Sequence, residues 1–129
     1  MKTKKYVDYI MQITQQLLAI DSPTGYTDDA VEFIMKEYEK LGYKPEKTKK
    51  GGVIVNLGGK KTNDGLMLAA HTDTLGGMVC EIKGNGRLRV SPLGGMNANN
   101  AEAENVRIIT KFNGTYEGTF QLDNASVHV

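Results

Sequence analysis

The chain of 129 residues has no tryptophan, a single cysteine, three prolines and no charge excess worth the name, with 16 Lys plus Arg against 15 Asp plus Glu. Each shortage excludes something. One cysteine cannot close an internal disulfide, so the fold is not a disulfide scaffold and suits a reducing compartment. A balanced charge gives no electrostatic footprint for nucleic acid or an anionic membrane, which need a basic patch or stripe. No apolar run approaches the roughly 18 residues that span a bilayer. Lys2, Lys4 and Lys5 are not followed by the apolar core and small-residue cleavage site of a secretory leader. These absences predict a cytoplasmic chain that binds neither nucleic acid nor membrane.

What the chain does have is periodicity that changes along its length. Val7, Ile10, Met11, Thr14, Leu17 and Leu18 recur at spacings of three and four, predicting an amphipathic helix over residues 3–20. Asp21-Ser22-Pro23-Thr24-Gly25 should end it, through a side-chain turn former, a restricted Ser22 and a flexible glycine. A second helix is expected from the N-cap Thr27, with Asp28 and Asp29 in its first turn and a buried stripe of Ala30, Val31, Ile34, Met35, Tyr38 and Leu41. Gly42 should stop it.

From Tyr43 the period becomes 2 and glycine doublets recur. Val53–Leu57 reads as a short strand, and the uniformly apolar Leu66-Met67-Leu68-Ala69-Ala70 as a central strand covered on both faces. After residue 74 no helix-period segment of useful length remains. Met78–Ile82 and Arg87–Leu93 flank a Lys83-Gly84-Asn85-Gly86 turn, a polar loop runs over 97–105, and Val106–Phe112 and Thr115–Leu122 flank Asn113-Gly114. Length alone fits one domain, yet the pattern divides into an α/β piece over 1–74 and an antiparallel β piece over 75–129. Val127-His128-Val129 stops within a strand-like pattern, so the natural polypeptide is expected to continue.

His71-Thr72-Asp73 carries most of the chemical information. It follows the apolar segment 66–70, and the C-terminal ends of strands are where open α/β sheets present ligands. Side chains two apart on a strand share a face. Either residue can bind a metal, or Asp73 can orient His71 by accepting its second ring N–H. The bland alternative is a histidine hydrogen-bonded at a strand end.

Asp21-Ser22-Pro23-Thr24-Gly25 between two helices, Gly52 before a short strand, and Ala70-His71-Thr72-Asp73-Thr74-Leu75-Gly76-Gly77-Met78-Val79 resemble the tetrahedral and glutamyl aminopeptidase family. Gly84-Asn85-Gly86, Leu93-Gly94-Gly95 and Asn113-Gly114 extend the resemblance along most of the chain. It implies the N-terminal part of a three-layer α/β/α domain over 1–74. Over 75–129 it implies part of an inserted, barrel-like antiparallel β domain used for dimerisation or oligomerisation. It further implies a cytoplasmic aminopeptidase that acts on peptides with a free N-terminus through water activated by two divalent metal ions, zinc or cobalt. In that family His71 corresponds to a terminal ligand of one metal, and Asp73 to the catalytic-site carboxylate that orients it. The remaining ligands and the general base belong to a region after the β domain. The 129-residue chain is therefore expected to hold one weak partial site at most and to be inactive alone.

A deacylase or carboxypeptidase of the wider cocatalytic-zinc group is an alternative, and a non-catalytic association module is another. An open apolar strand edge also predicts self-association. The lysines between Lys44 and Lys61 read as solvated loops, lacking the interleaved aromatics of a single-strand binder. Glycine doublets fail the phosphate-loop spacing. Cys80 is expected as a small buried apolar residue, Ser22 as a turn residue without a nucleophile elbow, and His128 as a residue outside the metal site.

Overall fold

The computed structural model describes residues 2–61 and 63–123. The chain divides into two compact units, Met1–Thr74 and Leu75–Val129. It is a mixed α/β protein whose sheets are small and antiparallel. His128 lies outside the described residues.

In the first unit, α1 (Lys2–Leu18) and α2 (Asp28–Lys40) form where the 3.6-residue period predicts them. Thr27 occupies the N-cap position of α2, and its carbonyl accepts the Val31 N–H at 3.0 Å. Its hydroxyl makes no capping bond, because φ −118° and ψ 3° depart from the extended conformation that aims a cap side chain at the first amides. The far end of α2 closes on paired backbone bonds. Gly42 takes φ +87° and donates to the Glu39 carbonyl at 2.9 Å, while Tyr43 donates to the Tyr38 carbonyl at 3.0 Å. This is the paired bonding of a Schellman stop. The Tyr38 and Tyr43 rings meet edge to face at 6.2 Å between centroids, which supplies its apolar contact.

Of the stripe on α2, Ala30 and Val31 are buried, Ile34, Met35 and Tyr38 are half-buried, and Leu41 is exposed. The stripe faces a hairpin of β1 (Pro45–Lys47) and β2 (Val53–Val55), paired Pro45 to Val55 and Lys47 to Val53. Proline is tolerated in β1 because it opens the strand. The hairpin is tied to α2 by Lys47 Nζ, 2.6 Å from Asp28 Oδ1. β2 ends two residues before Leu57, where Asn56 Oδ1 accepts the Gly58 N–H at 2.9 Å and starts a turn.

The segment 66–70 departs from expectation. It pairs with no strand among the described residues, and Leu66, Met67 and Leu68 are 89%, 85% and 81% exposed. An extended apolar run becomes a central strand only beside neighbours with spare N–H and C=O groups. Among the described residues the sheet of this unit is the short β1–β2 hairpin, and neither of its strands pairs with 66–70.

Among its described residues the second unit contains two hairpins. β3 (Gly76–Ile82) pairs with β4 (Leu88–Leu93), and β5 (Asn105–Ile109) pairs with β6 (Thr115–Thr119). The first turn is closed by Lys83 N–H to the Arg87 carbonyl at 2.8 Å and Gly86 N–H to the Lys83 carbonyl at 2.9 Å. The second is longer than a two-residue turn. Thr110 N–H donates to the Gly114 carbonyl at 3.0 Å, and the Thr110 hydroxyl accepts the Asn113 N–H at 2.9 Å. The polar stretch from Asn97 contains one helical turn, α3 (Ala98–Ala101), capped by Asn97 Oδ1 accepting the Asn99 N–H at 3.0 Å.

Cys80 is also placed differently from expectation. The β3–β4 register shifts between Val79 and Glu81, and this bulge leaves Cys80 as the unpaired residue. Its side chain is exposed, with Sγ 3.3 Å from the Arg89 carbonyl. Alternation along β3 predicts a buried thiol on the face of Met78 and Ile82, but those residues are exposed as well, so neither face of β3 is covered by the described residues.

Candidate functional site

The site is assembled by the loop between α1 and α2 and by the residues that follow the apolar segment. Leu18 ends α1, and Pro23-Thr24-Gly25-Tyr26 forms a turn in which the Tyr26 N–H reaches the Pro23 carbonyl at 2.8 Å. Gly25 takes φ +88°, which a type II turn requires at its third residue. Pro23 forms an isolated parallel bridge with Thr74. Two hydrogen bonds on Ser22 fix this junction. The Thr74 N–H donates to the Ser22 carbonyl at 2.9 Å, and the Ser22 hydroxyl donates to the Thr72 carbonyl at 3.1 Å. Ser22 is 1% exposed, so its hydroxyl is satisfied where water cannot reach it.

His71 and Asp73 lie together on the outer side of this junction. His71 Nδ1 is 3.0 Å from Asp73 Oδ1. An ionised carboxylate only accepts, so Nδ1 carries the hydrogen and, in the neutral ring, Nε2 carries the lone pair. The His71 side chain is 85% exposed, which leaves Nε2 accessible to a ligand. The second carboxylate oxygen, Oδ2, accepts the Thr24 hydroxyl at 3.0 Å. The Asp73 carboxyl is held below its ordinary range, first by the Thr24 hydroxyl and next by His71, both of which favour the charged form.

The two residues singled out in the sequence are thus neighbours in space, and Thr24 joins them. Nothing in the spacing signals that third contact, which spans 49 positions. The donor set fits one terminal imidazole ligand but not a closed metal site. A zinc site takes three or four protein ligands, and no group of three or more His, Cys, Asp or Glu side chains is gathered among the described residues. No helix among those residues is long and apolar enough to cross a membrane.

Residues 51–129 match the family model described as M42 glutamyl aminopeptidase. The Bacillus subtilis (strain 168) protein named "Putative aminopeptidase YhfE" is 39% identical over 119 residues, covering 92% of this chain and 34% of that protein. The glutamyl aminopeptidase of Lactococcus lactis subsp. cremoris (strain MG1363) is 38% identical over 82 residues, covering 63% of this chain and 23% of that protein. A Pyrococcus abyssi (strain GE5 / Orsay) protein named "Putative [LysW]-lysine/[LysW]-ornithine hydrolase" is 35% identical over 74 residues, covering 56% and 21%. The chain belongs to the M42 glutamyl aminopeptidase family, a family of metal-dependent peptidases. It spans about a third or less of the length of these curated relatives.

Proposed function

We propose that this chain supplies the first metal-binding histidine and part of the association domain of an aminopeptidase that removes N-terminal residues from peptides. The observation that carries the proposal is the His71–Asp73 pair, with Nδ1 bonded to the carboxylate at 3.0 Å and Nε2 turned to solvent. This is the imidazole geometry that a metal ligand needs, with the tautomer set by a carboxylate. In this reading His71 is a terminal ligand, and Asp73 holds its ring in the binding tautomer. A pair of divalent ions, zinc or cobalt, supplies an activated water and polarises the scissile carbonyl when bound.

With one imidazole and one carboxylate brought together, the 129-residue chain alone binds metal weakly and has little or no peptidase activity. Residues 1–74 then belong to a three-layer α/β/α domain, and 75–129 to a barrel-like inserted domain that mediates homo-oligomer formation in the cytoplasm. The test uses a polypeptide of the relatives' length that contains this sequence. It should hydrolyse aminoacyl-p-nitroanilides, lose activity to a chelator and regain it with zinc or cobalt. His71→Ala should lower kcat/KM by at least about a hundredfold, as expected for loss of a directly placed metal ligand. Chelator-sensitive hydrolysis by the 129-residue chain itself would overturn the claim that it is incomplete as a catalyst. Similarity to a protein named as a hydrolase of LysW-linked lysine or ornithine favours, as a second reading, a deacylase or carboxypeptidase action. Substrates with free and blocked N-termini separate the two.

A further inference from the structure

We infer that Thr24 is a positioning residue for the metal site, acting through Asp73 to fix the tautomer and direction of His71; this rests on the function proposed above. Asp73 is 43% exposed, so its carboxylate would be at liberty to rotate toward water if only His71 held it. It is held at both oxygens instead, Oδ2 by the Thr24 hydroxyl at 3.0 Å and Oδ1 by His71 Nδ1 at 3.0 Å. A planar carboxylate fastened at one oxygen has its other oxygen's direction set, and that direction selects which imidazole nitrogen carries the hydrogen. The Thr24 hydroxyl is itself aimed by backbone. It sits in the Pro23–Tyr26 turn, whose preceding residue is locked to the Thr72 and Thr74 main chain by the two Ser22 bonds. The work is divided within the loop: Ser22 joins backbone to backbone, and Thr24 joins the loop to the functional side chain.

The division is tested in the full chain by imidazole 15N NMR, without metal or substrate, at a pH where the rings are neutral. The sequence has two histidines, so His128→Gln identifies the His71 signals. In the unaltered chain His71 should be mainly the Nδ1–H tautomer. Thr24→Val keeps the side-chain shape and removes the hydroxyl, and it should lower the Nδ1–H to Nε2–H ratio by about three- to tenfold, the range of one net hydrogen bond. Thr24→Ser should restore the original ratio. An unchanged ratio in Thr24→Val, a serine variant as disturbed as the valine one, or an Nε2–H tautomer in the unaltered chain would each overturn the inference. Loss of helical circular dichroism in Thr24→Val would also count against it, since the hydroxyl would then be holding the fold rather than the carboxylate. Because the readout involves no metal, failure of peptidase activity in the longer polypeptide leaves this result standing, and a failed tautomer result leaves the activity test standing.

Discussion

Asp73 couples orientation to charge, because the same two hydrogen bonds set its direction and favour its ionised form. Both Thr24 and His71 favour the ionised form, and the carboxyl titrates below an ordinary aspartate as a result. The sign of the pH dependence follows directly. A folded-state value below the unfolded one, which is about 3.9 for aspartate, gives a contribution to stability that is complete above the unfolded value. That contribution is lost as pH falls through the lower folded value. The carboxylate should therefore remain ionised in acid that has already protonated exposed aspartates, as followed by its 13C carboxyl shift. Thr24→Val removes the leading single cause and should move the titration up toward the ordinary value. A midpoint that stays in place would show that the hydroxyl does not act on the charge. The sequence exposed His71 and Asp73 as a candidate pair because a strand's two-residue spacing places them on one face. Thr24 was not legible in this role: its hydroxyl reaches Asp73 only after the chain has returned across 49 positions, and no local pattern encodes such a return.

Elements were legible in proportion to how locally they are determined. α1 and α2 rest on periodicity, a turn after α1 and a glycine after α2, all readable within a few residues. The β3–β4 and β5–β6 hairpins likewise fall at their glycine-containing turns. The stop of α2 lends itself to measurement. Gly42 at φ +87° lets two amides satisfy the Glu39 and Tyr38 carbonyls, and a Cβ there meets no neighbouring atom, so the cost of a side chain is conformational rather than steric. Gly42→Ala should destabilise the chain by about 1 kcal/mol, as expected for a left-handed residue with a side chain. The midpoint of urea unfolding would reveal it, and an unchanged midpoint would mean the Schellman stop contributes nothing. Two features failed to follow from local pattern. The bulge at Cys80 depends on how β3 matches β4, and the exposure of its thiol on the absence of any described residue covering that face, neither of which is a property of β3 itself. The apolar run 66–70 satisfies every sequence criterion for a central strand, but strand formation requires a partner, and partners are not a property of the segment.

At the scale of the whole molecule the main physical fact is how much apolar surface the chain leaves to water. Ala30 and Val31 are the buried hydrophobic residues among those described, whereas Leu66, Met67 and Leu68 are almost fully exposed. The second unit has its own apolar cleft of about 390 Å³, lined by Val79, Ile82, Leu88, Ile108, Ile109 and Tyr116 among others. Ile82 and Tyr116 remain 75% and 54% exposed there. Covering apolar surface gains roughly 25 cal/mol per Å² before the entropic cost of association is met, so each region offers a surface on which the 129-residue chain can self-associate. The two regions predict different outcomes. If the 66–70 segment drives association by offering an unpaired, extended apolar edge, Leu66→Lys with Leu68→Lys should convert the oligomer to a monomer in light scattering. Ile82→Lys with Ile109→Lys should then leave its mass unchanged. If the second unit mediates association, as its proposed role requires, the dependence reverses, and only the substitutions in the cleft should release monomers. A polypeptide of the relatives' length that supplies neighbours to 66–70 should retain the cleft dependence and lose the other, because a paired strand no longer presents an edge. A monodisperse monomer of the unaltered chain at high concentration would rule out both routes for the 129-residue chain, and a polypeptide of the relatives' length that is also monomeric would rule out the proposed association role of residues 75–129.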